Sequence, residues 1–317
     1  MSQTLTKTLQ AVLYQRFEDL PGVHIELHNE LLAVRVENER ATATVFLQGA
    51  QLAHYQRHDE PPIIWCSPQC DYRKGTPLRG GVPVCWPWLG ALDKNAFAIK
   101  RQIPLDIAGA HGLVRNRPWQ LTAIEQPRAD LTRIIMSLSL DDQQESAWPM
   151  ASQLRLTISV SNRLQVNLEV SNRTEYPFYF SAALHSHYAI SDIEQVSVNG
   201  LERMNYIDRA HNWSHGNQRG PLVIDREIDR IYHGTWQPLS LIDHGWHREL
   251  HISCEGSDNA VLWNPWKETS SRLSQFPEDG YRNMLGIATA NADDDFVVLM
   301  PHRQHRLGFT VRCRPLS

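Results

Sequence analysis

The chain has 317 residues, 42% apolar and 21% charged, with a formal net charge of −4 and a pI near 6.4. Those values describe a soluble globular protein with a sizeable core, and they offer no basic surface for nucleic acid or for an acidic membrane. No run of about 18 apolar residues is present to span a bilayer, and five scattered cysteines without a C-x-x-C pair argue against a disulfide framework and a zinc ribbon.

The N-terminal MSQTLTKTLQAVLYQRF has neither a sustained apolar core nor a small-residue cleavage site, so no signal peptide is expected and a reducing cytoplasm is the simplest setting. Residues 1–20 form an extension in which 4–16 predict a short helix with Leu5, Leu9, Val12 and Leu13 on one face. After Pro21-Gly22 the apolar period becomes two, and residues 21–317 read as one β-sandwich domain. Strands are expected at Val23–Leu27, Leu32–Glu37, Thr42–Leu47 and through Tyr55. Residues 67–118 are rich in Gly, Pro and Trp, as in Arg79-Gly80-Gly81-Val82-Pro83-Val84-Cys85-Trp86-Pro87-Trp88. Such proline density predicts a long ordered loop region rather than central strands. Strands resume at Gln120–Glu125, Leu131–Leu140, Gln153–Val160 and Leu164–Val170, the last two joined by a turn at 161–163. Residues 208–222 read as a polar loop. Later strands are expected at Glu249–Cys254, Ala260–Trp263, Met284–Ala288, Phe296–Met300 and Leu307–Cys313. Roughly twenty short strands with few short helices predict an all-β fold, a large antiparallel sandwich. Ten tryptophans mostly fill such a core, although flat indole faces also suit the C–H faces of sugars.

The stretch Phe180-Ser181-Ala182-Ala183-Leu184-His185-Ser186-His187-Tyr188 follows a β-prone run and places two histidines at i and i+2. In a strand both look to the same face. Such a pair can exchange protons near neutral pH, chelate a metal, or serve as hydrogen-bonded structural histidines. Together with His111 the pair could hold a metal, but no glutamate at tight spacing accompanies them, and neither metal nor cofactor is expected. Arg79, His111 and Arg115 lie among Gly80, Gly81 and Gly112, where backbone can approach a ligand and a guanidinium fork can grip phosphate. Asp229-Arg230-Ile231-Tyr232 is either a structural ion pair or a ligand contact. No P-loop, dinucleotide fingerprint, HExxH or GxSxG occurs.

Seven ordered segments resemble the aldose 1-epimerase superfamily, and most closely its hexose-6-phosphate mutarotase branch: GAQL at 49–52, RGGVPVCWPWLG at 79–90, HGLVR at 111–115, ALHSHYAISDI at 183–193, DRIY at 229–232, WNPW at 263–266 and EDGYRNM at 278–284. The resemblance covers about Pro21 to Arg312. It implies a galactose mutarotase-like β-supersandwich, a small-molecule hexose phosphate as substrate with neither nucleic acid nor membrane as partner, and a monomer rather than a dimer, although an exposed strand edge could support a dimer. The implied reaction interconverts anomers: a carboxylate takes the proton of the anomeric hydroxyl while a histidine protonates the ring oxygen. By that match His185 is the catalytic histidine and His111 polarises the ring oxygen. Arg79 and Arg115 stand near the sugar phosphate, and Asp229 shapes the pocket.

The chain departs from the pattern at the glutamate. Where the family reads Val-Cys-Val-Glu, this chain reads Leu285-Gly286-Ile287-Ala288, and a nearby acid is replaced by Gln275. Glu278 and Asp279 do not substitute, because relatives carry acids there as well. His187 replaces a residue that is usually tyrosine and is the most economical stand-in base. The alternative is a weak or inactive relative that binds a sugar or sugar phosphate.

Overall fold

The computed structural model describes residues 3–104, 109–140, 147–235 and 237–316. Two antiparallel sheets dominate, one of eight strands and one of seven, with a four-stranded meander over Val23–Arg57 linked to the seven-stranded sheet through Ile64, which bridges both Tyr55 and Tyr188. Period-two apolar residues from the facing sides of both sheets make one buried cluster. Leu154, Leu156, Ile158, Val166 and Leu168 of one sheet join Leu184, Tyr188, Leu262, Leu285 and Ile287 of the other. The all-β sandwich predicted from the strand spacing is the architecture found. The described residues add α-helices only at Gln3–Phe17, Phe97–Lys100 and Trp266–Ser270, besides short 3-10 turns. Among them no helix is long and apolar enough to cross a membrane.

Three local expectations are corrected. Of the expected Leu5, Leu9, Val12 and Leu13 face of the N-terminal helix only Leu13 turns inward, together with Thr6 and Phe17, while Leu5, Leu9 and Val12 stay exposed. Polar tethers select that face: Gln10 donates to the Ile25 carbonyl at 3.3 Å, Lys74 donates to Thr6 Oγ1 at 2.6 Å, and Arg16 donates to the Thr122 carbonyl at 2.5 Å. Residues 208–222 are not all loop. Ser214–Asn217 pairs with Asn205–Asp208 as a hairpin at the margin of the seven-stranded sheet. It is polar because its edge strand is largely exposed. A strand at Leu239–Asp243 joins the eight-stranded sheet, although the sequence reading omits it.

The sandwich settles which side chains leave the core. In the Ala182–Ala189 strand, Leu184 and Tyr188 point between the sheets, so Ala183, His185 and His187 point to the other face. Segments 78–85, 111–115 and 263–276 cover that face and enclose a cavity.

Candidate active site

Strand register builds the cavity floor. Directly opposed residues in antiparallel strands share a face. His187 lies opposite Gly286, Gly286 opposite Trp263, and Trp263 opposite Asp229. One row on, His185 lies opposite Ala288, Ala288 opposite Val261, and Val261 opposite Ile231. The position that the family resemblance assigns to glutamate is therefore the immediate cross-strand neighbour of His185. Here it is a fully buried methyl, packed with Cys85, Ala183, Ile231 and Val261.

The rim comes from irregular backbone. Gly81 has φ of +67°, and a Cβ there would stand 2.4 Å from the Leu52 carbonyl oxygen. Only glycine lets the Arg79-Gly80-Gly81 turn lie against the sheet. The Gly81 carbonyl then accepts from both the backbone N–H of His187 at 2.9 Å and its ring Nδ1 at 3.0 Å. His111 sits at φ of +67° before Gly112, whose Cβ would meet the Trp86 carbonyl oxygen at 1.9 Å. This turn brings Gly90 N–H to 3.3 Å from His111 Nδ1 and Cys85 Sγ to 3.6 Å from the same nitrogen.

All six residues singled out in the sequence, Arg79, His111, Arg115, His185, His187 and Asp229, line one cavity of about 280 Å³. The His185 and His187 rings are 4.7 Å apart between centroids, and the His111 and His185 rings 6.0 Å. Trp263 meets the His187 ring edge-on at 5.7 Å. Arg79 is braced across the mouth, donating to the Ser274 carbonyl at 3.1 Å and to Ser274 Oγ at 3.3 Å. Gln275, at the second missing acid, is outside the lining. It joins two loops instead, its Oε1 accepting from Asp71 N–H at 3.0 Å and its carbonyl from Ser67 Oγ at 2.7 Å.

Sequence reading missed Arg209, which lies in the segment taken as loop. Its Nη2 reaches Asp229 Oδ1 at 2.5 Å. Among the described residues Asp229 is the only carboxylate on the lining, so this pair leaves Arg79 and Arg115 without a described counter-charge there. Leu273 and Phe276 supply an apolar wall, and no local signal marked either.

The hydrogen bonds fix two tautomers. A carbonyl only accepts, so His187 Nδ1 carries its proton and Nε2 keeps a lone pair. A backbone N–H only donates, so His111 Nδ1 is an acceptor and its Nε2 carries the proton. His185 lies between them, buried. Burial, reinforced by Arg115 and Arg209, lowers the His111 pKa to about 3. Burial is also the main cause that lowers His187 to about 4, with Arg79 acting in the same direction against the Gly81 bond. His185 is held well below its ordinary value by burial and by both neighbouring histidines. Burial pushes the Cys85 thiol up to about 12, so it stays neutral. The site thus joins neutral imidazoles to cationic arginines. Among the described residues no group of three His, Cys, Asp or Glu could hold a metal ion.

Comparison with known proteins adds to this geometry. The family model "Aldose 1-epimerase" matches residues 33–312. A protein of Escherichia coli (strain K12) named "Putative glucose-6-phosphate 1-epimerase" is 29% identical over 267 residues, covering 84% of this chain and 85% of its own. A protein of the same name from Cenchrus ciliaris is 25% identical over 284 residues, covering 87% of this chain and 82% of its own. A crystal structure of a "putative mutarotase" from Salmonella typhimurium superposes with a TM-score of 0.84 at 24% identity, covering 96% of this chain and 99% of that one. At that identity the match speaks for the fold.

Proposed function

The chain belongs to the aldose 1-epimerase family, and from that premise we propose that it interconverts the α and β anomers of a hexose 6-phosphate, with His187 in place of the family's glutamate. One observation carries the reading. Ring bonds to Gly81 and Gly90 leave His187 with an Nε2 lone pair and His111 with an Nε2–H, on either side of His185 in one cavity.

Ring opening moves one proton off the anomeric hydroxyl and one onto the ring oxygen. His187 Nε2 accepts the first. With a pKa near 4 its basicity is that of an ordinary glutamate, about 4.3, and it is unprotonated at neutral pH. His185, as imidazolium, gives the second while the C1–O5 bond breaks, and the His111 Nε2–H steadies the ring oxygen. Rotation about C1–C2 and closure return both protons by the reverse transfers. Burial and the neighbouring His187 and His111 are the main causes that disfavour an imidazolium at His185, and Arg209 and Arg115 add to them. A phosphate dianion beside Arg79 and Arg115 offsets the arginine share, and on this reading His185 takes up its proton together with the substrate.

The second reading is a sugar-phosphate-binding protein without turnover. Ala288 favours it: the floor beside His185 has a methyl, and the lining carboxylate is already paired with Arg209. Exchange NMR of the two glucose 6-phosphate anomers separates the readings. Acceleration that vanishes in His185→Asn and falls in His187→Phe supports the first. Line broadening without acceleration supports the second, and an unchanged rate in His187→Phe removes His187 as the base.

A further inference from the structure

A second cluster of cations lies away from the histidine cavity and shares no lining residue with it. Arg57, Arg128, Arg133, Arg163, Arg312 and Arg314 surround a polar cavity of about 530 Å³ with no carboxylate on its lining. Its base is the outer face of the eight-stranded sheet. Ile134, Ile158, Val166 and Val311 are turned into the core, so their neighbours Arg133, Ser159, Gln165 and Arg312 face outward. Arg163 stands in the turn that joins Ser152–Val160 to Leu164–Asn172.

Three of the six are neutralised. Arg57 meets Glu60 at 2.9 Å and also donates to the Cys313 carbonyl at 2.9 Å. Arg128 meets Asp130 at 2.9 Å, and Arg133 meets Glu125 at 3.7 Å. Arg163, Arg312 and Arg314 make no ion pair with any described residue. Three uncompensated guanidiniums around one concavity repel each other, in a chain whose net charge is −4.

From this we infer a binding site for a small molecule bearing two or more phosphate groups on a polyol frame. Guanidinium forks suit phosphate oxygens. The Ser159 hydroxyl and the Gln165 amide on the lining suit the hydroxyls of the frame. No aromatic side chain lines the cavity to stack a nucleobase. The volume is that of a small-molecule site.

The test is calorimetric titration with fructose 1,6-bisphosphate and inorganic tripolyphosphate, each against the unaltered chain, the double variant Arg163→Ala/Arg312→Ala, and Arg79→Ala. The expected result is binding that the double variant weakens at least about tenfold, that Arg79→Ala leaves within about twofold, and that weakens as salt rises. Three results overturn the proposal: no heat at millimolar probe in low salt, equal binding by the double variant, or loss only in Arg79→Ala, which would place the probe in the histidine cavity. A polyglutamate peptide that binds where both phosphate probes fail makes this face a protein-docking surface and also overturns it.

Discussion

On the floor of the histidine cavity, paired strands set His185, His187 and Trp263, with Ala288 buried beside His185, by parity and register alone. On its rim, Arg79, His111, Arg115 and Arg209 are set by left-handed turns, bridging carbonyls and one ion pair. The family resemblance also separates the two regions: it assigns a glutamate to the position held by Ala288 beside His185, and it assigns cations to Arg79 and Arg115 on the rim. A sheet position tolerates a small apolar residue at little structural cost, because the backbone ladder is indifferent to the side chain. A turn built around Gly81 or Gly112 has no such latitude. On the proposed function, binding of the anion would then be separable from transfer of the proton.

The predictions test that separation. The largest effect is expected on the floor: His185→Asn lowers anomer exchange by about 10³-fold at saturating glucose 6-phosphate, within the range for a positioned acid–base group, while line-broadening titration shows little change in affinity. His187→Phe follows, with a loss of about 10²-fold in rate. On the rim, Arg79→Ala raises the dissociation constant for glucose 6-phosphate by about thirtyfold, as for a lost charge-assisted contact, and leaves that for glucose nearly unchanged. Equal losses for the two sugars would break the phosphate assignment. Ala288→Glu is a smaller, conditional effect. In the His187→Phe background it restores roughly tenfold in rate, and in the unaltered chain it adds much less, since the two bases are redundant. A large gain in the unaltered chain would mean that His187 is no base.

The last effect falls on stability. The unfolded chain takes up histidine protons near pH 6.5, but the folded chain holds His111 near 3 and His187 near 4. Below pH 6.5 the unfolded state binds more protons. The contribution of the neutral histidines is thus complete above about pH 6.5 and is lost as pH falls through their folded values. Each contributes a slope of about 1.4 kcal/mol per pH unit in that window, to be read from denaturant midpoints between pH 7 and pH 4.5. A flat profile would mean that the histidines titrate freely.

The floor was legible in the sequence because its rule is local. His-x-His after a β-prone run fixes a common face, and alternation around it names the core partners. The absent glutamate was legible only through the family resemblance, since nothing in the residues around Ala288 marks that position as a site. Arg209 was not legible. It belongs to a polar segment without periodicity, and its role depends on a hairpin that folds it onto Asp229, twenty positions on. Gln275 illustrates the same limit from the other side. Its place in the motif pointed to the chemistry, but tertiary contacts with Ser67 and Asp71 make it a loop tie. The buried face of the N-terminal helix is only partly legible, because apolar spacing does not carry the polar tethers at Thr6 and Gln10 that turn Leu5, Leu9 and Val12 outward.

The unequal count of arginines and carboxylates around the histidines also bears on the speed of encounter. A chain of net charge −4 repels phosphorylated solutes at a distance. Beyond a Debye length, about 8 Å at physiological ionic strength, that repulsion is screened. Inside that distance the solute meets Arg79 and Arg115 at a concave mouth, where low-dielectric walls concentrate the field. On the proposed function, anions would be captured at close range rather than drawn in from afar, and the association rate should depend on salt through the mouth's own charge, not through that of the whole molecule.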